Sequence, residues 1–464
     1  MSREAAIAAA EAFFDKGQFK SDLTRAVSVP TESQNPDRAA DLTRYLQDIV
    51  TPMLAEMGFK TRILQHPKAK GPFLFAERIE DPSRPTILGY GHGDVIRGLD
   101  ADWKSGLSPW ELVERDGRWW GRGVVDNKGQ HLLNFAAQKA VLAARGKLGF
   151  NAKWLIEMGE ELGSPGLKEA CEAHKDLLAA DLLIASDGPR VSAERPTLFL
   201  GARGAMLVDL LIEAREGGHH SGNWGGLISN PGILLAHAIA SLVGPNGQIR
   251  IPEMVPAGGI PDSVREALAD IEVDGGPGAP EIETWWGEPG LTSAEKVYGW
   301  CNFEVLAYET GNPKTPVNAI PPRAWARCQL RHVVGIDQAA VLPAIRRHLD
   351  RQGLGMVQVL PGRDNDFIAT RLDPRHPWAQ FAARSLQRST NMKPAVLPNL
   401  GGALPNEVFS DLLGLPTVWV PHSYPGCSQH APNEHVPVPL VRQALGMMAG
   451  LYWDLGELEG KAPV

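Results

Sequence analysis

Cysteine is scarce in this chain, with 4 in 464 residues. Cys171, Cys301, Cys328 and Cys427 are far apart and form no C-x-x-C pair. Neither a disulfide framework nor a thiolate metal site is suggested, and a reducing, cytoplasmic setting is expected. Long apolar runs are missing too: none approaches the ~20 residues that span a bilayer, so no membrane partner is expected. Residues 2–14 are Ala-rich and carry Glu4 and Glu11, unlike the basic-then-apolar order of a signal peptide. The net charge of -8 comes without a basic run that could track phosphates, which argues against nucleic acid as a partner. No internal repeat or low-complexity tract is present.

What the chain does have is ordinary globular material, 43% hydrophobic and 22% charged, in a length that exceeds one core. Up to about residue 190, helical patterns alternate with short apolar runs, which predicts βαβ units around a mostly parallel sheet. The clearest helix is expected over 127–145. From about 195 the texture changes to strand-like runs at 197–200, 205–212, 303–308, 327–334 and 357–360, with helical stretches at 231–243 and 337–352. This block reads as a smaller α/β sandwich inserted into the first domain, and the Gly/Pro-rich stretch 252–290 as an excursion within the insert. The α/β pattern resumes past about 370. The predicted division is 1–193 and 369–464 for a discontinuous catalytic domain, and 194–368 for a lid.

Apolar runs at 86–90, 152–158, 181–185 and 416–420 each lead into a loop bearing an imidazole or a carboxylate: His92, Glu161, Asp187 and His430. Asp126 lies between Gly123 and Gly129, directly before the predicted helix. Ligands in open α/β sheets gather outside the carboxyl ends of the strands, so these five residues are expected to converge. An isolated acid after a strand more often caps a helix or faces water, and the joint pattern is what carries the argument. Imidazole and carboxylate suit an ion such as Zn²⁺, and a catalytic site keeps one position open. Five ligands serve two ions if one carboxylate bridges, and the glycine-flanked Asp126 suits the bridge. Three carboxylates and one hydroxide then offset two divalent cations. Asp94, two residues past His92, is expected to accept the free ring N–H of His92. Glu160 and Glu161 leave the strand in different directions, so one can bind metal while Glu160 handles protons as a general base.

The segments GHGDV, GRGVVDNKGQ, EMGEELGS, ASDG, HHSGNWGG and QHAPNEH occur in this order over most of the chain. Together they resemble the dinuclear zinc metallopeptidase family of carboxypeptidase G, carnosine-type dipeptidases, acetylornithine deacetylase and succinyl-diaminopimelate desuccinylase. The resemblance implies two zinc ions per subunit, manganese or cobalt being possible replacements. It assigns one ion to His92, Asp126 and Asp187 and the other to Asp126, Glu161 and His430. It also implies a lid domain that mediates homodimerisation, and His220 reaching the partner subunit's site to stabilise an oxyanion. Arg331 and Asn318 are implied at the substrate's carboxylate and scissile carbonyl, with Gly402 beside them. Segment 126–130 is closer to the dipeptidase branch, whereas Ala403 stands where the family often has a substrate-binding serine. The expected function is hydrolysis of the amide bond in dipeptides or small N-acyl amino acids. The alternatives are an N-acyl or N-carbamoyl amino acid amidohydrolase and an idle metal-binding homologue.

Overall fold

The computed structural model describes residues 2–273, 280–362 and 366–463. Positions 274–279, inside the excursion read from the sequence, and 363–365 lie outside them. The principal sheet has eight strands, in the order Lys60–Leu64, Phe73–Arg78, Asn151–Glu157, Thr86–His92, Leu182–Ala185, Thr417–Trp419, Thr197–Phe199 and Ala395–Leu397. The run from Asn151–Glu157 to Thr417–Trp419 is parallel throughout, and the first two strands are antiparallel.

These central strands read as nearly continuous apolar runs because both of their faces are covered. Their side chains alternate between two cores. Ile87, Trp154, Ile156, Leu182 and Ile184 join one cluster, and Leu88, Tyr90, Leu155, Leu183 and Ala185 join the other. Each such buried Leu or Ile is worth roughly 1.5–3 kcal/mol. On the first face pack helices Arg3–Asp15, Lys128–Arg145 and Val438–Gly456. Helix Lys128–Arg145 stops at Gly146, whose φ of 79° gives the left-handed cap that a glycine adopts without strain.

A second sheet of four antiparallel strands has the order Asn302–Thr310, Arg323–His332, Gly204–Glu213, Gln358–Pro361. One face buries Val208, Leu210, Ile212, Ala324, Ala326, Cys328 and Leu330 beneath helices Pro231–Leu242 and Gln338–Arg351. The other is only partly buried, and beside Leu207, Leu211 and Trp325 it carries the two-pronged Arg327–Asp209 ion pair at 2.8 Å. This strict alternation is what a half-solvated antiparallel sheet requires.

Two expectations need correction. The run at 197–200 was read with the middle block, but Thr197–Phe199 pairs with Ala395–Leu397 and Thr417–Trp419 in the large sheet. A three-residue apolar strand carries no information on which sheet will accept it. The 252–290 stretch is not confined to the insert either. It forms helix Asp262–Leu268, and Ile260, Val264 and Leu268, spaced by four, pack on the second face of the large sheet.

Candidate metal centre

Parallel strands point their carboxyl ends the same way, and that brings the predicted ligands together. His92 is the last residue of its strand. Asp187 follows strand Leu182–Ala185 by two residues, and Glu160 and Glu161 begin the short turn Glu160–Leu162 after strand Asn151–Glu157. His430 arrives on the loop that leaves Thr417–Trp419. Asp126 stands before the amino end of helix Lys128–Arg145, and its peptide bond to Asn127 is cis.

Asp126 divides its carboxylate. Oδ1 lies 3.1 Å from His92 Nε2, and Oδ2 lies 3.0 Å from His430 Nε2. Asp187 Oδ2 is 3.5 Å from His92 Nε2, and Glu161 Oε2 is 3.2 Å from His430 Nε2. Two donor sets result, His92–Asp126–Asp187 and Asp126–Glu161–His430, which share one residue. With metal–ligand bonds near 2.0–2.1 Å, the edge of a tetrahedral shell is roughly 3.3 Å, so these separations fit a common ion in each set.

The state of His92 tests the fit independently. Its Nδ1 lies 3.0 Å from the carbonyl oxygen of Asp94, an acceptor that fixes the proton on Nδ1. Among the described residues its buried Nε2 has no hydrogen-bond partner, although two carboxylates stand beside it. A lone pair facing carboxylate oxygens is repelled unless a cation lies between them. The proton affinities express the same field. Burial opposes a charge on His92, yet Asp126, Asp187 and Asp94 outweigh it and push its pKa well up. His430 is pushed up to about 11 by Asp126 and Glu161. Burial, with Asp126 alongside, raises Glu161 to about 7. Burial likewise holds Glu160 well above the usual carboxylate range, Asp187 and Glu161 adding to it and His92 opposing. The donors thus demand positive charge, and the donor chemistry fits two divalent ions.

Asp94 does something other than expected. The ring N–H of His92 goes to the Asp94 carbonyl, and the nearest carboxylate oxygen is 3.4 Å away. That carboxylate instead accepts from the backbone N–H groups of Glu160 and Glu161, each at 3.2 Å. It therefore grips the turn that carries both glutamates. Glu160 Oε2 lies 4.0 Å from His92 Nε2, at the edge of the cluster.

The remaining predicted residues lie outside this cluster. His220 is exposed, its Nδ1 accepts from Gly222 N, and its strand His219–His220 pairs with Ala319–Ile320. Asn318 is next to it, its carbonyl accepting from Ser221 N at 2.9 Å. Arg331 projects from strand Arg323–His332 with Nε donating to Gln329 Oε1. The Gly402 carbonyl accepts from Arg203 N, and Gly401 O from Arg203 Nε. Arg203 was not singled out from the sequence; only the fold places it in the 400–402 loop. The base of the cluster was also missed. Asn127 Nδ2 donates to Ser186 O, Asn134 Nδ2 to Ser186 Oγ, and Tyr452 OH to Asn134 Oδ1, all buried. Polar residues on the apolar helix after Asp126 are the signal that points to such a network.

Comparison with known proteins agrees with this geometry. Peptidase family M20/M25/M40 matches residues 88–454. The Beta-Ala-His dipeptidase of Homo sapiens is 27% identical over 385 residues, spanning 79% of this chain and 74% of its own. A Cysteinylglycine-S-conjugate dipeptidase of Corynebacterium striatum is 27% identical over 399 residues, 83% of each chain. In structure, an M20 family metallo-carboxypeptidase from Sulfolobus solfataricus superposes with a TM-score of 0.78 at 25% identity, covering 95% of this chain and 99% of its own.

Proposed function

Because the chain belongs to Peptidase family M20/M25/M40 and is a metal-dependent peptidase, we propose that it is a dipeptidase with two zinc ions per subunit. The observation that carries this is the divided carboxylate of Asp126, with one oxygen in each donor set. The proposed ligands are His92, Asp126 and Asp187 for one ion and Asp126, Glu161 and His430 for the other; manganese or cobalt would suit the same donors. Such ions, when bound, acidify a water and polarise a carbonyl.

Glu160 accepts the proton of the attacking water and returns it to the departing amine. Its burial beside other carboxylates gives it the raised proton affinity that a shuttle needs. Asp94 holds the Glu160–Glu161 turn by its backbone and, through its carbonyl, the ring of His92. His220 stabilises the oxyanion, and Arg331, Asn318 and Gly402 receive the substrate's carboxylate and carbonyl. The exposed, local setting of His220 supports a contribution in trans, within a homodimer formed by the lid. Edge strand Asn302–Thr310, with Val305, Leu306 and Tyr308 exposed, supports that interface. The proposed division keeps 1–193 and 369–464 in the catalytic domain, adds strand Thr197–Phe199 to it, and leaves the four-stranded sheet and its helices within 194–368 to the lid. Among the described residues no helix is long and apolar enough to cross a membrane. Four free, buried cysteines support a cytoplasmic location.

The substrate class is tested by amine release from dipeptides, N-acetyl amino acids and N-carbamoyl amino acids, with enzyme loaded with zinc, manganese or cobalt. Chelator-sensitive cleavage of dipeptides is expected. Cleavage of only the acyl or carbamoyl compounds would replace the dipeptidase reading, and no cleavage with two ions bound would reject it.

A further inference from the structure

His430 is a weakly supported ligand. Its side chain is 61% exposed, whereas those of His92, Asp126, Glu161 and Asp187 are 1%, 11%, 3% and 6% exposed. It lies on a loop rather than at a strand end, with φ of 56°, and Asn433 in the same loop has φ of 65°. Something must fix this loop if His430 Nε2 is to stay 3.0 Å from Asp126 Oδ2.

Glu434, four residues on, is fully buried at 0%. Its Oε1 accepts from the backbone N–H groups of Gly123, Val125 and Asp126 at 3.1, 3.0 and 3.2 Å. Its Oε2 accepts from Gly123 N at 3.1 Å and Arg122 Nη1 at 3.0 Å. The Glu434 carbonyl accepts from Gly121 N at 3.1 Å. The turn from Gly121 to Asp126 is thus wrapped around one carboxylate from a segment some 300 residues away, and the wrapping ends on the N–H of Asp126 itself. Next to it, Asn433 Oδ1 accepts from Lys104 N, and strand His435–Pro437 pairs with Arg118–Trp120.

We propose that Glu434 is a positioning residue that sets the spacing between Asp126 and His430, and so the affinity of the Asp126–Glu161–His430 set for its ion. This rests on the two-ion reading above. Glu434 touches no ligand side chain; it acts through the backbone of Asp126 and through its own short tether to His430. Asp94 grips the Glu160–Glu161 turn by the same device, so these two ligand-bearing turns each have a buried carboxylate behind them. The set His92–Asp126–Asp187 depends less on Glu434, because His92 and Asp187 are held by neighbouring parallel strands.

The test is Co²⁺ titration of full-length apoprotein, followed by calorimetry and visible absorbance, in the wild type and in Glu434→Gln, Glu434→Asp and Glu434→Ala. The thermal midpoint of each apoprotein is measured alongside. The wild type should bind two ions. Glu434→Asp and Glu434→Ala should bind one ion with little loss and the other about 10–100-fold more weakly, the range found when groups behind metal ligands are altered. Glu434→Gln, which keeps an acceptor for Val125 and Asp126 but turns an amide toward Arg122, should fall between. If Glu434→Ala does not fold, the Gln and Asp variants decide. Wild-type affinity for both ions in folded Gln and Asp variants would overturn the inference, as would equal weakening of both ions or a lowered midpoint with unchanged affinities. A wild type that binds fewer than two ions would overturn the two-ion reading itself.

Discussion

Asp126 and Glu160 illustrate two fates for a buried carboxylate. In Asp126 burial raises proton affinity, but the His430 and His92 imidazoles at 3.0 and 3.1 Å overcome it and hold the group ionised. At Glu160 burial dominates, and the His92 imidazole, 4.0 Å away, opposes it without overcoming it. With the proton-shuttle role proposed for it, Glu160→Gln should keep both ions bound and lose ~10²–10⁴-fold in kcat, read from metal analysis and steady-state kinetics on one sample. A parent-like rate would remove Glu160 from that role. Glu407, which is not among the proposed ligands, is a third, largely buried carboxyl. Burial raises it to about 7, and among the described residues its buried Oε2 has no hydrogen-bond partner. Its folded pKa lies above the unfolded value of 4.5. The stability it contributes is therefore present below pH 4.5 and lost as the pH rises through about 7. Glu407→Gln should match the parent in urea midpoint near pH 4.5 and exceed it at pH 8, by roughly 1–3 kcal/mol after allowance for partial exposure. Equal midpoints at pH 8 would refute this. The ligand types were legible in the sequence because His92, Asp126 and Asp187 stand near glycines at or beyond the ends of apolar runs. Glu434 was not, since an acid whose partners are backbone N–H groups some 300 positions away leaves no local pattern.

The strands and helices that periodicity names have boundaries within a few residues of those observed, whereas helices such as Arg3–Asp15 and Val438–Gly456 and strands Lys60–Leu64 and Phe73–Arg78 are not among them. The helix expected over 127–145 is Lys128–Arg145, and the run at 86–90 extends to His92. The extension matters, because the ligand is the last strand residue rather than part of the following loop. Gly89 in that strand faces the indole of Trp154 on the adjacent strand so closely that a Cβ would strike the ring. Trp154 is fully buried and donates to Gln138 Oε1, so it has nowhere to retreat. Gly89→Ala should cost ~1–3 kcal/mol of stability in urea unfolding by overpacking. An unchanged midpoint would mean that the Trp154 side of the sheet yields more readily than its contacts suggest. The placement of Thr197–Phe199 in the large sheet and of helix Asp262–Leu268 against it was hidden for a related reason. Periodicity reports that a segment has an apolar face, not which apolar face it will meet.

At the scale of the molecule, the proposed dimer makes a prediction that no single subunit can satisfy alone. If His220 serves the partner's site, Glu160→Gln and His220→Ala are each inactive, but a mixed dimer has one site with both groups intact. Equal mixing after dissociation should recover about a quarter of wild-type activity, as random pairing in a twofold dimer requires. No recovery, with subunit exchange verified by mass, would place His220 in its own subunit's site or outside catalysis. The sequence by itself determined the chemistry on offer: imidazoles and carboxylates at the ends of apolar runs, cysteines too far apart in the chain to suggest a thiolate site, and a family resemblance spread along the chain. These are properties of residue type and local spacing, which survive in a linear string. The tertiary structure alone decided which oxygen of Asp126, expected from the sequence to bridge, faces each donor set, that Asp94 serves the Glu160–Glu161 turn, and that Glu434 backs the turn ending at Asp126. Each depends on a few ångströms between segments up to 312 residues apart, and such distances are set only when parallel strands align their carboxyl ends and the buried carboxylates take the backbone donors that water no longer reaches.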